Sequence, residues 1–302
     1  MIQAQRIFPI LLLAAAMAWG QSSNPPANGK ASGAQTANPE SAPSITNPKG
    51  KRPPTAKTKQ EYDQYLAVAN APDAATSEKL AREFEAQFPN SELLPFVYQA
   101  VMTKYQKADN GDKTLDMGRK VLQYDPDNCP ALVMNATVLA ERTRATDLDR
   151  EPRLKEATAD AQKALENLKS GNYMLAPSAT PEQVQQFKDQ ISGMAYTALG
   201  TSELMRNNDA VAEQDLRKAA DTSVGKGDAI VWYRLALALD HQNRYADANT
   251  AITTAVALAP ANSVVANMAR NEQSRLKQLA SAGAPPAPKG SSQPEPEVIP
   301  PK

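Results

Sequence analysis

Residues 229–262, AIVWYRLALALDHQNRYADANTAITTAVALAPAN, constrain the fold more than any other stretch of the chain. Trp232, Leu235, Ala236 and Leu239 recur at helical spacing, and so do Ala248, Ile252 and Ala255. Each set therefore makes one apolar helix face. The polar run Asp240 to Arg244 separates the sets, which predicts two antiparallel helices. Ala236, Ala248 and Ala255 let the two backbones approach, while Trp232, Leu235 and Ile252 fill the space around them. Pro260 disfavours α conformation at Ala259 and closes the second helix. One such hairpin cannot bury its own apolar face, so the pattern demands stacked copies.

Copies lie upstream. With Ala229 as position 1, Trp232 falls at position 4, and the equivalent residues are Tyr62, Tyr98, Leu132 and Tyr196. The second copy, near 95–128, places Tyr98, Val101, Met102 and Tyr105 on one face and Val121 and Leu122 on the next helix. Asn110-Gly111 supplies turn chemistry between them. Gly118 stands where a large apolar residue is usual, which predicts local underpacking. The fourth copy repeats the pattern with Tyr196, Leu199 and Gly200, then Ala212, Leu216 and Ala219. Thr180-Pro181 reads as an N-cap followed by Pro at the first helical position, so this helix starts early.

Two copies are degenerate. In the first, 58–91, Tyr62, Tyr65, Leu66 and Ala69 make one expected face and Leu80, Phe84 and Phe88 the other. In the third, Leu132, Ala136 and Leu139 match, but Asn135 departs from the pattern. Ala157, Ala161, Ala164 and Leu165 arrive late, so the polar stretch from Thr143 to Arg153 reads as an enlarged loop. Residues 169–181 read as irregular. Residues 263–279 form one more amphipathic helix, whose polar face suits the end of an open stack.

This 34-residue helix–turn–helix register, with its large residue at position 4 and small residues at 8, 20 and 27, resembles the tetratricopeptide repeat (TPR). The resemblance covers 58–280 and is strongest in the second, fourth and fifth copies. Tyr98, Tyr196, Leu199, Gly200, Ala212, Ala219, Trp232, Leu235, Ala236, Ala248, Ala255 and Pro260 carry the repeat. It implies an all-α, right-handed superhelical solenoid of about five helix pairs with a C-terminal capping helix. The first helix of each pair would line a concave groove. In family members, positions 2, 5, 9, 12 and 13 of that helix face the ligand. The resemblance thus implies a groove built from Phe96, Gln99, Thr103, Thr197, Thr201, Leu204, Tyr233, Leu237 and His241. That lining is mostly neutral. The Lys and Asn with which some relatives clamp a peptide carboxylate are absent at the corresponding positions.

Composition narrows the function. Lys and Arg number 33, as do Asp and Glu, so no net charge draws the chain to nucleic acid. A single Cys excludes an intrachain disulfide framework and any multi-thiolate zinc site, and a single His excludes paired-His metal motifs. No cofactor is expected. Residues 1–20 read as a signal peptide: Arg6 supplies charge, Ile7 to Met17 an apolar core, and Ala18 and Gly20 small residues before the cleavage point. An uncleaved anchor is the alternative. No Cys lies nearby, so the expectation is an exported protein, periplasmic or secreted, that is not a lipoprotein and keeps no transmembrane span. Residues 21–57 and 281–302 are rich in Pro and small or polar residues and read as a disordered linker and tail. The linker carries a small basic cluster at Lys49, Lys51, Arg52 and Lys57.

Candidate chemistry is thin. Asp240 and His241 are sequence neighbours on a helix and point apart. Cys129 opens a helix, but acidic neighbours oppose its activation. Asp109-Asn110-Gly111-Asp112 lacks the ligand spacing of a calcium loop, and Gly225-Lys226-Gly227-Asp228 lacks that of a phosphate loop. Asp147, Asp149 and Glu151 read as a solvated loop, and the sequon Asn135-Ala136-Thr137 falls on a helix face. The expectation is a non-enzymatic adaptor of the cell envelope that takes a peptide or protein partner in its groove. The alternatives are an envelope polymer-binding module and a structural tether working through the basic linker and Pro-rich tails.

Overall fold

The computed structural model describes residues 53–176 and 178–281, and among them the chain is entirely helical. The proposed signal peptide, most of the linker and the C-terminal tail lie outside the described residues. Ten helices form five antiparallel pairs: α1 Lys59–Ala69 with α2 Ala74–Gln87, α3 Leu94–Lys107 with α4 Gly111–Tyr124, and α5 Cys129–Arg142 with α6 Arg150–Ser170. The fourth and fifth pairs are α7 Pro181–Met205 with α8 Asp209–Asp221, and α9 Ala229–His241 with α10 Tyr245–Leu258. A last helix, α11 Val264–Ser281, packs on α10 and α9. Each element packs on its chain neighbours, and each first helix also rests on the pair before it, so the architecture is an all-α helical-repeat solenoid.

The small residues sit where close approach requires them. Ala212, Ala219, Ala236, Ala248 and Ala255 are fully buried. At Gly200 a Cβ would stand 2.6 Å from the Leu216 side chain, so only glycine lets α7 and α8 pack this closely. Leu235, Leu239 and Ile252 fill the remaining volume between α9 and α10. Ala259 adopts extended backbone, φ −69° and ψ 132°, as Pro260 requires, and α10 ends at Leu258.

Three of the inter-helix turns are the same object. Asp109, Asn207 and Asn243 each occupy position 15 of their copy and each has positive φ, 55°, 60° and 61°. In each case the next residue's N–H reaches back five residues, from Asn110 to Tyr105, Asn208 to Glu203 and Arg244 to Leu239. This is a Schellman-type closure with Asn or Asp in the left-handed position. The first and third pairs lack it, because Asn70 and Thr143 have negative φ. These are the two copies whose sequence departs from the register.

Several expectations are corrected. In α1 the fully buried residues are Glu61 and Val68, while Tyr62, Tyr65, Leu66 and Ala69 are only partly covered. Glu61 is tolerated because Ser91 Oγ and the backbone N–H of Lys57 both donate to it. The polar stretch after α5 is a shorter loop than expected: α6 already begins at Arg150 and runs 21 residues. The segment between α6 and α7 is irregular but packed, with Tyr173 buried and its ring 5.5 Å from that of Phe187. Gly118 is not underpacked either. A Cβ there would stand 2.0 Å from Asn135 Oδ1, so the two departures from the pattern meet, one making room for the other. Ahead of α1, Pro54 is buried, Ala56 packs on the core and Thr55 N donates to Glu92 Oε2 at 3.2 Å.

Candidate functional site

The expected groove residues fall into three groups. Phe96, Gln99, Thr197, Tyr233 and Leu237 are half-buried on α3, α7 and α9, and they leave part of each first helix open. Thr103, Thr201 and Leu204 are buried. Leu204 belongs to the core with Ala212, Leu216 and Leu235. His241, the third case, is half-buried but already partnered: its Nδ1 lies 2.8 Å from Asp209 Oδ1 on α8.

The threonines on this face are self-satisfied. Thr103 Oγ1 donates to Gln99 O at 2.9 Å, Thr197 Oγ1 to Gly193 O at 2.7 Å and Thr201 Oγ1 to Thr197 O at 2.6 Å. A hydroxyl that donates to its own helix presents mainly its methyl group to a neighbour. Of the three only Thr197 is part of the open face, whose aromatic members are Phe96 and Tyr233.

Arg234 on α9 reaches Glu141 on α5 at 3.3 Å. These are first helices of the third and fifth pairs, with α7 between them. The ion pair thus links first helices two pairs apart. Arg234 is mostly buried and its Nη1 has no hydrogen-bond partner, so the bridge is held in a poorly solvated setting.

Electrostatics elsewhere tie helices together. Asp240 does not pair with His241 but with Arg275 of α11. The hydrogen bond that His241 donates to the Asp209 carboxylate raises its pKa above the ordinary value, against the opposing effect of burial. Burial raises that of Asp240, with Arg275 opposing. Cys129 is buried, its Sγ 3.8 Å from Asp127 O. Asn110 caps α4, Asp112 pairs with Arg142, and residues 225–227 form a single tight turn. Glu151 pairs with Arg206, and Asp147 accepts from Arg144 N. Asn135 has no exposed surface in the fold, which closes its sequon to modification. Among the described residues no three His, Cys, Asp or Glu side chains gather as a metal site, and no helix is long and apolar enough to cross a membrane.

Sequence reasoning missed one seam altogether. Glu78 on α2 accepts from Tyr105 on α3 at 2.5 Å and from Lys113 on α4 at 3.1 Å. Seven residues along each helix the same set recurs: Glu85 accepts from Tyr98, Tyr124 and Lys120. Burial works to raise the Glu78 pKa, but hydrogen bonds from Tyr105, Arg82 and Lys113 outweigh it and hold the group down to about 2. The shared seven-residue spacing of Glu78/Glu85, Tyr98/Tyr105 and Lys113/Lys120 was the available signal.

Register, turn geometry and helix pairing agree. The fold is a solenoid of tetratricopeptide-like helix pairs. The sequence matches no family model and no curated protein. Similar solved structures include PilF of Pseudomonas aeruginosa, 14% identical with a TM-score of 0.49, covering 74% of this chain and 94% of that one. The thermophilic TPR protein TTC0263 of Thermus thermophilus is 12% identical with a TM-score of 0.42, covering 73% of this chain and 99% of that one. PilW, described as a type IV pilus biogenesis factor, is 13% identical with a TM-score of 0.46, covering 74% of this chain and 94% of that one. Identity this low does not carry the partners of those proteins over to this chain.

Proposed function

We propose that this chain is an exported, non-enzymatic adaptor that binds a peptide or helix of another envelope protein along its first helices. The observation that carries this reading is the set of half-buried side chains Phe96, Gln99, Thr197, Tyr233 and Leu237 on the first helices α3, α7 and α9. A surface of aromatic and aliphatic groups, with the Thr197 hydroxyl donating to its own helix, suits an apolar or amphipathic segment better than a charged polymer. The position-4 rings give little support to polymer binding: Tyr98 is buried against Tyr124, and Trp232 Nε1 is spent on Lys226 O.

The test is crosslinking capture in envelope extract with the chain from Gln21 onward, beside a variant carrying Tyr233→Ala and Leu237→Ala. The expected result is one protein captured by the parent and lost with the variant, while circular dichroism shows the variant folded. Capture of the same species by both would place binding in the tails or on the opposite face and overturn the assignment.

A further inference from the structure

The half-buried side chains of the first helices have a chemical complement within the chain itself. Residues 282–302 follow α11, and near their end stands Pro294-Glu295-Pro296-Glu297-Val298-Ile299-Pro300-Pro301. Val298-Ile299 is the one pair of adjacent large apolar residues beyond Ser281. Proline-rich segments lose little conformational entropy on binding and dock against aromatic and aliphatic surface. Tyr233 and Leu237 on α9 and Thr197 on α7 are half-buried and offer such a surface. Charge selects the same segment. Arg234, next to Tyr233 on α9, makes one ion pair, 3.3 Å to Glu141, and keeps 16% of its side chain exposed. Its Nη1 has no hydrogen-bond partner. A guanidinium carries five donors and pairs best with a carboxylate through two of them, so Arg234 has capacity for a second acid. Glu297, beside the apolar pair, supplies one.

The segment is also within reach. Arg275 donates to Asp240 across 35 residues, the interval that separates the first residues of α11 and α9. Helix α11 thus stands where the first helix of a sixth pair would stand. Along their helices Arg234 lies about 9 Å before Asp240, and Ser281 about 9 Å beyond Arg275. With helix axes about 10 Å apart, Ser281 and Arg234 are separated by about 20 Å. Residues 282–297 span up to about 50 Å in polyproline geometry, enough to turn back along the groove. The linker ahead of α1 suits the site less well. It carries Lys49, Lys51, Arg52 and Lys57, the same sign as Arg234. Its last residues are held at the other end of the stack, by Thr55 N on Glu92 Oε2 and Lys57 Nζ on Asn90 O.

We propose that residues 294–301 dock in cis on the α7–α9 part of the groove, with Glu297 at Arg234 and Val298-Ile299 over Tyr233 and Leu237, and so compete with the partner. The proposal rests on the groove reading above and adds its regulation. The groove takes a proline-flanked, acidic–apolar peptide, and the chain carries its own copy. A tethered segment meets its site at an effective concentration of about 1 mM. A tail with a Kd of about 100 µM then fills the groove about nine-tenths of the time. The partner has to displace it, and binds about tenfold more weakly than it binds the emptied groove.

The experiment places a nitroxide on the full chain through Ser292→Cys and reads amide line broadening by NMR; the native Cys129 is buried and stays unlabelled. The expected result is broadening at Thr197, Tyr233, Arg234 and Leu237 that does not depend on protein concentration. Glu297→Gln, Val298→Ser and Ile299→Ser together should abolish it. These three positions lie beyond α11, so every helix keeps its sequence. The same triple variant should reach half-maximal partner capture from envelope extract at about tenfold lower concentration than the parent. Absence of broadening overturns the tail contact, while capture that still depends on Tyr233 and Leu237 leaves the adaptor reading standing. Broadening without any partner captured by either chain keeps the tail contact and overturns the adaptor reading. Broadening seen only between labelled and unlabelled chains assigns the site to a second copy and overturns docking in cis. Equal capture by parent and triple variant overturns the competition.

Discussion

The fifth and third helix pairs solve the same packing problem with different materials. In the fifth, helices of 13 and 14 residues meet through Ala236, Ala248, Ala251 and Ala255, with Leu235, Leu239 and Ile252 between them. Its turn is short and closes through left-handed Asn243. In the third, α5 of 14 residues packs on α6 of 21 across a seven-residue loop, 143–149, that carries the fully exposed Leu148. Its α6 is still lined by Ala157, Ala161 and Ala164, but its seam with the preceding pair holds a buried amide instead of an aliphatic side chain. The repeat thus tolerates a longer loop, which is absorbed at the surface, and a polar intrusion, provided a glycine opposite makes room. It does not relax the small residues that set helix separation.

The first way to break this comparison is to hollow out the regular pair. Leu235 is 2% exposed and packs between α9, α10 and α8. Leu235→Ala is expected to cost about 2–5 kcal/mol, the range for a buried leucine whose cavity cannot collapse, measured as a shift in urea midpoint. A loss below about 0.5 kcal/mol would mean the face is not the core.

The irregular seam should fail by crowding instead. Gly118→Ala drives a methyl group into Asn135, and about 1–3 kcal/mol of destabilisation is expected. Asn135→Ala in the same chain removes the clash, so the double variant should recover most of that loss relative to Asn135→Ala alone. A double-mutant cycle with no coupling between the two sites would show that they do not meet.

How much of this was readable in advance follows the same divide. Periodicity of 3.6 and the 34-residue register put Leu235, Ala236, Ala248 and Ala255 on apolar helix faces, and all four are buried, because each obeys a local rule. The early start of α7 was legible in Thr180-Pro181, whose capping box the structure shows complete. Gly118 and Asn135 each broke a local rule, and only their spatial meeting explains either. Among the groove residues, Leu204 fits the family position yet is buried in the core between α7, α8 and α9. A position in a helix fixes its direction, but not what the neighbouring pair places in front of it. The same limit hid the partner of His241, which comes from α8, 32 residues away.

The turns offer a smaller and cleaner test of regular against irregular pairs. Asn207 is exposed with φ 60°. Asn207→Ala should cost about 1 kcal/mol for the left-handed backbone, whereas Asn207→Gly should cost nothing or stabilise slightly. The turn after α5 makes no such demand, since Thr143 has φ −78°. Equal stability of the alanine and glycine variants at 207 would remove the left-handed closure as the mark of the regular pairs.

The smallest expected effect concerns His241, which ties the fourth pair to the fifth through Asp209. Its folded pKa is raised by that hydrogen bond, so its contribution is fully present below the unfolded value of about 6.5 and disappears as pH rises through the folded one. The pair is partly solvated, and less than about 1 kcal/mol is expected from it. Urea midpoints of the parent and His241→Gln, compared at pH 6 and pH 8.5, should converge at the higher pH. Midpoints that stay equally far apart at both values would mean that His241 serves the α8–α9 contact by packing and that its charge contributes nothing to the regular seam.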